Sequence, residues 1–151
     1  MKEKLNFIRL PLLLVFIFFV GRLAFGAAGA SPEEANRVFS MVTLQLHLAF
    51  LWSAVGRRYR GYGIGGSIQA IVMITLVSQT LIWGATAFSY LAGIDTLFSD
   101  PTMVAGSPEA ISFGYAILAR GVGLVGNCVL ASIAGALGWL AGGLIPAEKI
   151  P

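Results

Sequence analysis

The sequence predicts an all-α, polytopic membrane protein with four transmembrane helices, and three observations carry that prediction. Of 151 residues, 57% are hydrophobic and only 11% are charged, where soluble domains carry about 25% charged residues. Mean hydropathy is +0.83. Apolar runs recur at about 10–30, 32–56, 64–92 and 108–145, each near or above the ~20 residues that span a hydrocarbon layer. Residues 1–151 therefore read as one membrane domain, with lipid supplying the apolar surroundings. The lone Cys128 reads as a small packing residue in an apolar helix.

The first run follows Lys2, Lys4 and Arg9 and continues past Arg22 to Ala28-Gly29-Ala30. A basic start, an apolar core and an Ala-x-Ala ending also describe a signal peptide cut before Ser31, which would leave three helices. A retained helix is the favoured reading. Arg22 sits awkwardly before a cleavage site, but near a helix end it can snorkel to the interface.

Ser31-Pro32-Glu33-Glu34 opens the second helix: serine caps, proline takes the first turn and Glu34 completes a capping box. Asn36, Ser40, Thr43 and His47 follow at spacings of four, three and four, a polar face expected to meet protein rather than lipid. Arg57-Arg58-Tyr59-Arg60-Gly61-Tyr62-Gly63 then reads as a tight basic turn with interfacial tyrosines. On the third helix Thr75, Gln79, Thr86 and Tyr90 share a face, with Gln69 and Thr80 nearby. The polar connection from Gly93 to Gly106 contains Asp100-Pro101, suited to a short interfacial helix, and Ser107-Pro108-Glu109 repeats the start signal for the fourth helix.

That fourth helix carries small or packing residues at Ala119, Gly123, Asn127, Ala131 and Gly135, extended by Ala134, Gly138 and Gly142. In lipid, helices associate where small residues let backbones approach, so this stripe predicts helix packing. Arg120 is a charge inside the run and asks for a partner: a carbonyl, the surface, or an acid of a neighbouring helix, the last being the expectation here. With it, Thr43, Gln79, Thr80, Thr86, Tyr115 and Asn127 are the intramembrane polar residues expected to face a pore or another subunit.

Charge sets the orientation rather than suggesting a nucleic-acid partner. The amino terminus, the Arg57–Arg60 turn and the tail around Lys149 hold seven of the ten basic residues, while the loops at 31–37 and 93–109 hold five of the seven acidic ones. Basic segments favour the cytoplasmic side, so both termini are expected inside, in a plasma (cytoplasmic) membrane. No acid lies within a span and there is one histidine, so no catalytic or metal-binding constellation forms, and the chain is expected to be non-enzymatic. The Gly61–Gly66 stretch follows a basic turn rather than a strand, the wrong context for a nucleotide loop. No cofactor is required. The alternative is His47 as an axial ligand to a haem or chlorophyll-type pigment, in an accessory subunit of a respiratory or photosynthetic complex.

The run Thr80-Leu81-Ile82-Trp83-Gly84-Ala85-Thr86-Ala87-Phe88, followed by Asp100-Pro101, Ala116-Ile117 and Gly123-Leu124, resembles the core of the MotA/TolQ/ExbB proton-channel family. The likeness covers about a third of the chain, on its third and fourth helices. It implies that Thr80 lines a pore and that identical subunits form a ring around partner helices. In that register Tyr115 stands where the family often has glutamate and Arg120 where it has a second threonine. The family's large cytoplasmic segment is replaced by Arg57–Gly63. The expected partners are thus the lipid bilayer and other membrane chains or copies of this one.

Overall fold

The computed structural model describes residues 2–144, with side chains from Leu5 onward. Six helices follow in order: α1 (Lys2–Ala27), α2 (Pro32–Val38), α3 (Met41–Arg60), α4 (Ile64–Ala92), α5 (Pro101–Ala105) and α6 (Phe113–Leu144). Taking α2 and α3 together, four segments are long and apolar enough to cross a membrane. Ile145 and the expected tail at Pro146–Lys149 lie outside the described residues.

The first helix begins well before residue 10, and Phe7 and Ile8 in that early part pack inward. The Phe7 carbonyl accepts from Trp52 Nε1 at 2.8 Å, and the Phe7 ring meets Tyr62 edge-on at 5.2 Å. Phe7, Ile8, Pro11 and Val15 turn inward, while Leu10, Leu13, Phe16, Ile17 and Val20 stay outside. Such an outer face, exposed and apolar, suits lipid. The helix closes at Gly29, whose φ of 85° lets the Ala30 amide reach back to the Phe25 carbonyl at 3.1 Å.

The capping box at Ser31 forms as the sequence indicates, with the Glu34 carboxylate accepting from the Ser31 amide at 2.9 Å. The helix it starts is not continuous to residue 56, however. It stops at Val38 and resumes at Met41. Phe39 is drawn out of helical register, its ring edge-on to both Phe18 and Phe25 at 5.5 Å. It presses on Gly21 so closely that a Cβ there would lie 2.5 Å from it. Ser40 then caps α3 by accepting from the Thr43 amide at 3.3 Å. This break also corrects the face expected of Asn36, Ser40, Thr43 and His47: Asn36, Thr43 and His47 are exposed and Ser40 is half-buried. Thr43 and His47 are satisfied locally, since Thr43 donates to Ser40 Oγ at 2.8 Å and His47 Nδ1 lies 2.8 Å from the Thr43 carbonyl, whereas Asn36 Oδ1 faces Arg22 on α1.

The α4 bounds agree with the sequence reading, and Thr75, Gln79 and Thr86 are buried on its inner face. Asp100 caps α5 through the Thr102 and Met103 amides. The last helix starts at Phe113 rather than 108. Its cap is Ser112, whose hydroxyl accepts from the Tyr115 amide at 3.3 Å, and the Tyr90 hydroxyl holds the Ile111 carbonyl at 3.2 Å.

The tightest seam joins α3 and α6. Ala131, Gly135, Gly138 and Gly142 are buried along it. A Cβ on Gly138 would overlap the Phe50 carbonyl, and one on Gly142 would lie 2.6 Å from the Ala54 carbonyl oxygen. Backbone therefore meets backbone, the arrangement that small residues permit in lipid. Arg57 clamps the end of this seam: Nη1 donates to the Trp139 carbonyl at 3.0 Å and its guanidinium lies 3.7 Å from the indole centroid. Trp139 Nε1 in turn donates to the Tyr62 carbonyl at 2.8 Å. A bilayer-embedded helix can carry these few polar ties because each donor is aimed at a carbonyl.

Candidate functional site

At the opposite end of the bundle, two arginines converge around Phe98. The last helical bond that the Phe39 carbonyl would accept is lost at the α2–α3 break, because the Thr43 amide turns to Ser40 Oγ instead. That carbonyl accepts from Arg22 Nη1 at 3.2 Å, and Asn36 Oδ1 stands 3.5 Å from the same nitrogen. The Arg22 guanidinium also lies over the Phe98 ring, 5.5 Å from its centroid. Arg22 does not snorkel: it is 6% exposed. A carbonyl and an aromatic face within reach offset the burial that a lipid-facing arginine would avoid.

Arg120 approaches from α6. Its Nε donates to Thr86 Oγ1 at 3.3 Å and its Nη2 to the Phe98 carbonyl at 3.0 Å. The Thr86 hydroxyl has the carbonyls of Ile82 and Phe98 within 3.0 Å and 2.9 Å for its single proton. Thr86 is thus donor and acceptor at once, and fully buried. Phe98 is the hub, ring toward one arginine and carbonyl toward the other. Its loop is held by local bonds: the Ser99 hydroxyl accepts from the Thr96 amide at 3.0 Å, and Ser89 Oγ lies 2.7 Å from Thr96 Oγ1. Within the chain, a hydroxyl and a carbonyl take the Nε and Nη2 donors of Arg120, and no carboxylate of the described residues meets it.

Both guanidiniums line one cleft of about 480 Å³, together with Asn36, Ser40, Thr43 and Thr102. The cleft is rich in hydrogen-bonding groups and is lined by no carboxylate.

The other residues singled out from the sequence are dispersed. Gln79 donates from Nε2 to Gln45 Oε1 at 3.1 Å in the bundle interior. Thr80 and Tyr115 are exposed, and Asn127 is half-buried. His47 faces outward on α3. Gly123 is half-buried with nothing within 4 Å of a Cβ placed on it, unlike Gly135, Gly138 and Gly142. Thr86 and Arg120 are brought together; Thr43 shares the cleft that Arg120 lines; the remainder do not join them.

Sequence reasoning missed Gln45, Phe98 and the inward role of Arg22. A sign of the last was present in the sequence, because Arg22, like Arg120, is an arginine with apolar residues on both sides. Phe98 left no such sign, since its carbonyl is what matters and every residue has one.

Among the described residues, six helices that make four membrane-length apolar segments, with polar groups turned inward on α4, define a multi-pass α-helical membrane protein. No protein-family profile, curated protein or solved structure matches the chain.

Proposed function

We propose that the chain is a non-enzymatic membrane subunit that assembles with other membrane helices, copies of itself or different chains, through the outer face of α6. One observation carries this reading. Leu118, Val122, Val125, Val129, Ser132 and Ala136 recur at spacings of four, three, four, three and four on α6, the seven-residue period of helices that wrap one another. The large members of that row are exposed: Leu118 at 67%, Val122 at 66% and Val125 at 63%. Val125, Cys128, Val129, Ser132, Ile133 and Ala136 also line a shallow apolar groove of about 450 Å³. Val125, Val129, Ser132 and Ala136 keep the middle of this row free of large side chains, which suits a close-packed helix.

In its sharpest form the subunit is a divergent, ring-forming relative of the MotA/TolQ/ExbB family, with the exposed Thr80 available to a neighbouring helix. Single cysteines placed along α6 and oxidised in native membranes test the assembly reading. Cross-links should peak at 118, 122, 125 and 129 and fall between them. Uniform absence of cross-links along the whole row, to any chain, would count against it.

A second reading keeps His47. A carbonyl only accepts, so the bond to Thr43 places the proton on Nδ1 and leaves the Nε2 lone pair of the neutral ring outward-facing. That is the form in which imidazole ligates a haem or chlorophyll-type pigment. Visible absorption by the purified complex, lost in His47→Leu, would favour this reading; a colourless complex would remove it.

A further inference from the structure

We infer that the cleft between Arg22 and Arg120 is a binding site for a phosphate-type oxyanion. Two cations share one pocket at this end of the bundle, and among the described residues neither meets a carboxylate. Asp100, on the neighbouring connection, lines a different cleft and accepts through Oδ1 from the Thr102 and Met103 amides and the Thr102 hydroxyl. Neutral carbonyls and an aromatic face orient the guanidiniums but leave their charge uncancelled, and burying like charges together is unfavourable unless a counter-charge joins them.

The donors are not used up. Arg22 is 6% exposed, yet its Nε has no hydrogen-bond partner. A buried, charged N–H without an acceptor is costly to maintain. A guanidinium also presents its donors as a planar fork that matches two oxygens of a phosphate. The Ser40 hydroxyl on the same wall, which accepts from Thr43 and keeps its own proton, adds a neutral donor. At about 480 Å³ the cleft has room for such a group. Its position beside the helix ends and the 93–112 connection gives two sources for one chemistry: the phosphodiester of an anionic lipid, or a free oxyanion from water.

The test follows the thermal unfolding midpoint of the full chain in neutral detergent. Phosphatidylglycerol is compared with phosphatidylcholine, and sodium phosphate with sodium chloride at equal ionic strength. A ligand that binds only the folded state raises the midpoint in proportion to its occupancy. Phosphatidylglycerol, sodium phosphate or both should raise it above the matched control. Losing one charged donor should then weaken apparent affinity about tenfold or more in Arg22→Gln or Arg120→Gln. A rise with phosphatidylglycerol alone assigns a lipid headgroup; a rise with sodium phosphate as well assigns a soluble oxyanion. Thr102→Trp, at the exposed rim, adds bulk at the cleft and leaves both arginines in the chain, and should abolish the rise even if the glutamine variants do not fold. No rise over the controls, or an undiminished rise in Thr102→Trp or in a folded glutamine variant, overturns the inference.

Discussion

Arg120 on α6 donates from Nε to the hydroxyl of Thr86 on α4, at 3.3 Å. The charge of the fourth span is therefore fixed inside the chain, and the bond ties α6 to α4 and, through the Phe98 carbonyl, to the connection between them. An intramembrane arginine held this way acts first as a fold-organising group.

Thr86→Val keeps the side-chain shape and removes the acceptor. Thr86 is fully buried, so the Arg120 Nε–H would lose its partner without water to replace it. The expected cost is ~1–3 kcal/mol, measured by unfolding in mixed detergent and SDS micelles. Thr86→Ser should recover most of it. Wild-type stability in Thr86→Val would mean the bond contributes nothing.

The α3–α6 seam makes a graded prediction. Gly138→Ala places a methyl group into the Phe50 carbonyl, and overpacking of this kind costs ~1–3 kcal/mol or more. Gly123→Ala meets open space and should leave stability unchanged. Limited proteolysis of the two variants separates them, and equal behaviour would contradict the seam.

Arg57 offers a third check at the other end. Its guanidinium stacks on Trp139 at 3.7 Å and holds the Trp139 carbonyl. Removing a partly desolvated cation–π contact costs ~1–2 kcal/mol, so Arg57→Gln should lower the unfolding midpoint, and Arg57→Lys should restore only part because it lacks the planar fork. A full restoration by lysine would reduce the contact to charge alone.

Orientation follows from charge segregation and is testable in intact cells. In a Cys128→Ser background, a cysteine at Tyr59 should resist an impermeant thiol reagent, whereas one at the exposed Thr102 should react. The reverse pattern would invert the topology.

The four spans were legible because lipid imposes composition, and composition needs no tertiary knowledge. The α4 limits were legible too, since Gly63 and Gly93 bracket an uninterrupted apolar run, Gly93 with a left-handed φ of 64°. The break at Phe39-Ser40 was not. It depends on Phe39 packing against Phe18, Gly21 and Phe25, which lie on another helix. The outward turn of Thr43 and His47 was hidden for the opposite reason: their polar atoms are satisfied by neighbours three and four residues away, so polarity did not imply burial. Thr86 and Arg120 were visible as polar residues in apolar runs. What joined them was the Phe98 carbonyl, a backbone atom that no residue pattern marks.

Assembly through α6 is the central claim, and subunit counting tests it most directly. The full chain, extracted from its membrane in polymer-bounded lipid discs without detergent, would be weighed by native mass spectrometry. The account predicts particles holding more than one membrane chain, reduced to single chains when Val125 and Val129 are both changed to tryptophan. Wild-type particles holding one chain only, with no other protein present, would contradict it.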